Sequence, residues 1–271
     1  MNSLVGAGMT HEGLHRPLNE DSYFFDNELG LYLVADGMGG ARSGEVASRI
    51  AVETVSDTIR RFENQDPVLV RSLPEPDPQI SDRANILLYG FYLANRAIYE
   101  SADKEVRHKG MGTTLVAILC DGDQALVAHV GDSRAFLVRN GRLKRLTVDH
   151  SVVEDPKLKD VLDLTATAKI RLGHTLTRAM GVKPKVSPSL AVLPLVAGDA
   201  FLLCTDGLTN MVQEADIVSI MSGEDSLYKK AQLLIDLALA GGGKDNITVV
   251  LAEAVKKSLI RNLIKRLSRD S

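Results

Sequence analysis

The chain has 271 residues, 45% of them apolar and 25% charged, with a net charge of −3. That balance suits a soluble globular protein long enough to bury a large core, and the weak net charge gives no general attraction to nucleic acid or to a membrane. With aromatic residues at 4% and no Trp, a base-stacking surface is disfavoured, and no nucleic-acid partner is expected.

The first thirteen residues contain no basic stretch followed by an apolar core, so no signal peptide is expected. Residues 23–25 and 31–35 read as short strands around the turn-like Asn27-Glu28-Leu29-Gly30. A helix follows over 43–62. Val46, Ala47, Ile50, Ala51, Val55, Ile59 and Phe62 recur at three- and four-residue spacing, Ser43 stands ready to cap it, and Glu45 suits its positive end. Pro74, Pro76 and Pro78 interrupt regular structure, and a second helix is expected over 81–102. Strands are expected next at 114–120, 125–130, 135–138 and 143–146. Asp121-Gly122 and Asn140-Gly141 serve as tight turns, and the whole reads as one antiparallel meander. Residues 151–173 read as an irregular flap with one short helix. Strands at 191–195 and 200–204, helices at 214–221 and 228–240, a Gly241-Gly242-Gly243 stop and a strand at 246–252 complete the pattern.

The two cysteines, Cys120 and Cys204, lie in aliphatic runs and read as small buried strand residues. Two cysteines build no disulfide framework, which fits a reducing, cytoplasmic setting. No apolar run approaches the ~20 residues of a membrane span. The blocks suggest one α+β domain of antiparallel sheets with flanking helices, residues 1–255, followed by a tail, 256–271. In that tail Leu259, Ile260, Leu263, Ile264 and Leu267 form an apolar stripe among Lys and Arg. The plainer reading is a terminal helix packed on the domain; the sharper one is a basic amphipathic element touching a membrane surface or a partner. A monomer is expected.

The chemistry lies in scattered acids. Asp36, Asp132 and Asp206 end apolar runs at or beside a Gly, while Asp21 and Asp245 stand just before such runs. Strand ends meeting at one rim would gather these carboxylates into a cleft, where they stay ionised together only beside a cation. Carboxylate oxygen without Cys or His suits Mg²⁺ or Mn²⁺. Two such ions about 3.5–4 Å apart activate a shared water and offset charge on phosphoryl oxygens, which suits hydrolysis of a phosphate ester. Asp36 fits the bridging position, the Gly37 carbonyl a backbone ligand, and Asp206 and Asp245 terminal ligands. Arg16 offers a planar fork for the substrate phosphate.

Six motifs then carry a resemblance: His15-Arg16-Pro17-Leu18-Asn19-Glu20-Asp21-Ser22, Val34-Ala35-Asp36-Gly37-Met38-Gly39-Gly40, Gly110-Met111-Gly112-Thr113-Thr114, Val130-Gly131-Asp132-Ser133-Arg134, Leu203-Cys204-Thr205-Asp206-Gly207-Leu208 and Gly243-Lys244-Asp245-Asn246-Ile247-Thr248. In order and spacing, over residues 5–255, they resemble the metal-dependent type 2C serine/threonine protein phosphatases, and the Gly-Met-Gly-Gly form resembles the bacterial branch. The resemblance implies a four-layer α-β-β-α sandwich with Mn²⁺ or Mg²⁺ at one end of the packed sheets, as two core ions and a third. It implies that Asp36 bridges the core ions, that Gly37, Asp206 and Asp245 ligate, and that Glu20 and Asp21 hold metal-bound waters. Asp132, with Asp206, matches a third-metal position, and Arg16 binds the substrate phosphate. Phosphorylated proteins, products of a serine/threonine kinase, are the implied partners, and no covalent intermediate is expected.

Two departures stand out. Met38 occupies a position where eukaryotic relatives often carry His as a general acid, and a thioether donates no proton. His150 is then a candidate acid, with a plain polar-loop residue as the preferred reading. The segment after Asp155 also departs from the bacterial pattern until His174. A cysteine phosphatase is excluded, because Leu126 and Asn210 stand where its Arg is required. The competing readings are a phosphoprotein-binding pseudophosphatase on the same fold and a two-metal hydrolase of small phosphate esters.

Overall fold

The computed structural model describes residues 2–39, 43–155, 172 and 175–256. The apolar runs prove to be strands buried on both faces. β2 (Asp21–Asp26), β3 (Leu31–Met38), β5 (Leu115–Asp121), β6 (Gln124–Val130) and β9 (Ser189–Pro194) form one antiparallel sheet in that order, and β4 (Gly112–Thr113) pairs the far end of β3. The second sheet runs β1 (Asn2–His11), β11 (Ile247–Lys256), β10 (Ala200–Cys204), β7 (Arg134–Arg139) and β8 (Arg142–Arg145).

Side chains alternate across each strand, so each sheet feeds two apolar layers. Tyr32, Val34, Val116 and Ile118 meet Phe201, Leu203, Val250 and Ala252 between the sheets. Leu31, Leu33, Leu115 and Ala117 face the other way, against α1 (Ser43–Glu63) and α3 (Asp82–Lys104). Leu202, Val249 and Leu251 face α5 (Glu214–Ser222) and α6 (Leu227–Ala240) across the third layer. The result is the four-layer α-β-β-α sandwich implied by the motifs. Phe201 is fully buried between the sheets. Phe201→Ala should cost about 3–5 kcal/mol of stability in urea unfolding, and a loss under about 1 kcal/mol would contradict this packing.

Several expectations are corrected. The four central strands are not one meander: β6 belongs to one sheet and β7 to the other. The switch falls at Gly131, whose φ of +101° turns the chain between sheets, and a Cβ there would press on the Thr114 side chain. The first hairpin turns on Gly122-Asp123, with Asp121 already paired to Gln124. The Asn140-Gly141 turn has positive φ at both residues, as a type I′ hairpin requires. Ser43 does not cap α1 with its hydroxyl, which donates to the Arg107 carbonyl at 2.7 Å. Asp21 and Asp36 lie within strands rather than outside them, directly paired in register.

Four of these elements lacked an expectation: β1, the two-residue β4, α2 (Pro67–Ser72) and the short α4 (Asp206–Thr209). Most of the flap lies outside the described residues, as does the tail 256–271 apart from Lys256, which ends β11. No helix among the described residues is long and apolar enough to cross a membrane.

Candidate active site

Loops and strand ends from both sheets meet at one rim, around a cleft of about 780 Å³. Arg16, Glu20, Asp36, Gly37, Asp132, Asp206 and Asp245 all line it, although up to 229 residues separate them. Asp21 sits behind them, buried, paired across the ladder with Asp36. All eight expected site residues are therefore in one neighbourhood.

Backbone and side-chain bonds hold them in place. Asp36 is fixed from the neighbouring strand: its N–H donates to the Thr114 hydroxyl (2.9 Å), and its carbonyl accepts from the Thr113 hydroxyl (2.8 Å) and the Thr114 N–H (2.9 Å). Thr114 in turn shares a 2.6 Å hydroxyl contact with Ser133, next to Asp132. Gly37 must be Gly, because a Cβ would collide with the carbonyl oxygens of Gly44 and Glu20. Glu20 reaches across to accept from the Gly44 N–H at the start of α1 (3.2 Å), where a carboxylate is favoured. Asp206 opens α4, and its Oδ2 accepts from Asn210 at 3.1 Å.

Asn246 is a residue whose role the sequence left unread. Its Oδ1 accepts from the Glu20 N–H (2.8 Å), and its Nδ2 donates to the carbonyls of Glu12 (2.8 Å) and Leu18 (2.9 Å). One side chain thus pins the loop that carries Arg16 and Glu20 to the start of β11. Thr205 and Thr248 are similar omissions, donating to Asp21 Oδ2 at 3.0 and 2.6 Å. The available signal was a polar residue inside an apolar run.

The electrostatics are unfavourable for bare carboxylates. Burial raises Asp36 well above the usual carboxylate range, and the charges of Asp21, Asp206, Asp132 and Asp245 raise it further. Burial likewise pushes Asp21 up to about 7, against its two threonine hydrogen bonds. Asp132 is pushed up to about 6, first by burial and then by Asp206 and Asp149. At the outer edge Arg16 donates to Asp245 Oδ2 at 2.7 Å, with both side chains partly exposed.

Among the described residues no three acidic, His or Cys side chains already close around a single point. The outer carboxylates are drawn aside, Asp245 to Arg16 and Asp206 to Asn210. The donor set nevertheless fits hard divalent cations. It is all oxygen, crowded and desolvated, and the buried Asp21 Oδ1 has no hydrogen-bond partner.

His150 is neither acid nor loose loop residue. It is buried, its Nδ1 accepts from the Gly131 N–H (3.2 Å), and its Nε2 meets the Ser189 hydroxyl (2.9 Å). It stacks on His129 with ring centroids 4.5 Å apart. Burial, then His129 and Arg178, pushes it down to about 3, so it stays neutral and supports the sheet switch.

A two-sheet sandwich with an acid-lined cleft at one rim suits phosphoester hydrolysis, and comparison with known proteins gives the family. Residues 6–228 match the Protein phosphatase 2C family. The serine/threonine phosphatase stp of Listeria welshimeri is 36% identical over 271 residues, covering 97% of each chain. The serine/threonine protein phosphatase PstP of Mycobacterium tuberculosis is 34% identical over 92% of this chain and 45% of its own. A crystal structure of the PstP catalytic domain in complex with two manganese ions superposes with a TM-score of 0.78 at 34% identity, covering 94% of this chain and 100% of that one. The chain belongs to the protein phosphatase 2C family and is an enzyme, a protein phosphatase by class.

Proposed function

We propose that the chain hydrolyses phosphoserine and phosphothreonine in proteins, using Mn²⁺ or Mg²⁺. The observation that carries this reading is the gathering of Asp36, Asp132, Asp206 and Asp245 in one cleft beside Arg16. The manganese-bound PstP neighbour and the named serine/threonine phosphatases support it. Asp36, among its acidic neighbours, would hold divalent metal together with the Gly37 carbonyl, Asp206 and Asp245. Asp132, beside Asp206, holds a third ion. Glu20 and Asp21 accept hydrogen bonds from ordered water through oxygens such as Asp21 Oδ1. Divalent ions bound here lower the pKa of water and offset charge growing on phosphoryl oxygens.

Arg16 stands where it can exchange part of its contact with Asp245 for a substrate phosphate. Arg16→Ala should raise KM for a phosphopeptide by about tenfold to a hundredfold with a smaller change in kcat; an unchanged KM removes the clamp. Met38 lines the cleft without a proton to give, and His150 is neutral and buried, so the leaving group takes its proton from solvent in the cleft. The two buried cysteines, neither in a disulfide, fit a cytoplasmic setting. Contact with a membrane or partner through 256–271, and a monomeric state, belong to the same reading.

The test is phosphate release from a phosphothreonine peptide, with and without Mn²⁺, for the wild type and Asp206→Asn. Release should require Mn²⁺ and fall at least about a hundredfold in the variant. Metal-independent release, or full activity of the variant, would overturn the proposal.

A further inference from the structure

The cleft that holds the carboxylates is also lined by residues of opposite sign. Arg178, Lys183 and Lys185 line it, all three exposed, alongside Val182 and Val186. Among the described residues none of the three basic side chains has an ion-pair partner.

This wall is built into the fold. Met180 pairs with Thr113, its N–H donating to the Thr113 carbonyl (2.8 Å) and its carbonyl accepting from the Thr113 N–H (3.2 Å). Thr113 is also the residue whose hydroxyl holds the Asp36 carbonyl. Gly181, at φ +80°, lies where a Cβ would collide with Ile98. The buried Asn95 of α3 then grips the turn with both ends of its amide: Oδ1 accepts from the Gly181 N–H (2.8 Å), and Nδ2 donates to the Lys183 carbonyl (3.0 Å). Pro184 restricts the backbone between the two lysines. Arg178 closes the segment on itself by donating to the Ser187 carbonyl at 3.1 Å. Two lysines thus line the cleft from a backbone anchored to the Asp36 strand.

We infer that this wall binds acidic side chains flanking the phosphorylated residue, so the cleft selects acidic phosphopeptides. The inference rests on the phosphatase reading of the same site. The phosphate belongs on the Arg16 side, and a flanking Glu or Asp there meets carboxylates of like charge. On the Lys183 and Lys185 side the same residue finds positive charge that no described carboxylate pairs, within a cleft that concentrates the field. Exposed lysines confer a modest, screened preference rather than a lock.

The experiment compares three probes in Mn²⁺: a phosphothreonine peptide flanked by Glu, the same peptide flanked by Gln, and p-nitrophenyl phosphate. The wild type should favour the Glu peptide by about fivefold in kcat/KM at low salt, with the preference fading as salt rises. The double variant Lys183→Gln/Lys185→Gln should lose that preference while keeping its rates on the Gln peptide and the small ester. Equal kcat/KM for the two peptides in the wild type, or an undiminished preference in the variant, overturns the wall. Binding of a fluorescent phosphonate peptide, Glu- against Gln-flanked, separates this from the parent reading. If neither phosphopeptide is hydrolysed yet the Glu-flanked phosphonate binds more tightly in a lysine-dependent way, the phosphatase reading fails and the wall stands. Hydrolysis of both peptides without discrimination leaves the phosphatase reading intact and ends the wall.

Discussion

Asp36→Asn should lower turnover by about a thousandfold or more, while the variant melts no lower than the wild type in metal-free buffer. The two halves have one cause. Asp36 is desolvated and crowded by Asp21, Asp206, Asp132 and Asp245, so its negative charge is costly to the fold. Among the described residues Thr113 and Thr114 hold it there through its backbone, and those bonds survive the change to Asn. A neutral amide of the same shape relieves the repulsion but bridges two cations poorly. The rise in melting temperature on adding Mn²⁺ should therefore shrink together with activity. Turnover and thermal melts measured on one preparation decide the matter. A variant retaining more than roughly a tenth of wild-type turnover would refute the bridging role.

Excess EDTA should abolish turnover, and in the same metal-free buffer stability should fall as pH rises from about 4 to about 8. Asp132 is raised to about 6, Asp21 to about 7 and Asp36 well above its usual range. In the unfolded chain all three titrate near 4. Across the intervening window these three carboxyls bind more protons folded than unfolded, outweighing the opposite contribution of His150 and His129 below about pH 6.5, so ∂ΔG/∂pH is negative. The stabilisation is complete below the unfolded pKa and is lost as pH climbs through the folded values. A single buried carboxyl such as Asp21 sets a ceiling slope of about 1.4 kcal/mol per pH unit. Mn²⁺ should flatten the profile, because cations compensate the ionised acids. A melting temperature that climbs with pH in EDTA, or full turnover there, contradicts the acid cage.

The sequence disclosed those features whose cause is local. The α1 stripe was legible because a single face is buried at helical spacing, and β3 and β5 because both faces are buried. β1 was illegible because its glycines answer to distant partners. Gly6 and Gly8 leave room for the rings of Tyr32 and Tyr23, yet in sequence they read as breaks. α2 carried an overlooked signal, Asp66 capping a helix with Pro at its first turn. The meander was misread because alternation looks alike in either sheet, and only the backbone of Gly131 tells where the chain changes over. In the site, the acids were legible from their position around apolar runs. Their partners were not, since Asp21 with Thr248 and Arg16 with Asp245 are joined only by the closed fold.

The clasp made by Asn246 has a bearing on synthesis. β1 pairs along its length with β11, and Asn246 ties the loop after β1 to the residue preceding β11. A nascent chain still on the ribosome has made Asp36 long before it has made the segment that seats Arg16 and Glu20. Products stalled short of β11 should therefore lack the clasp that seats Arg16 and Glu20, and with it turnover.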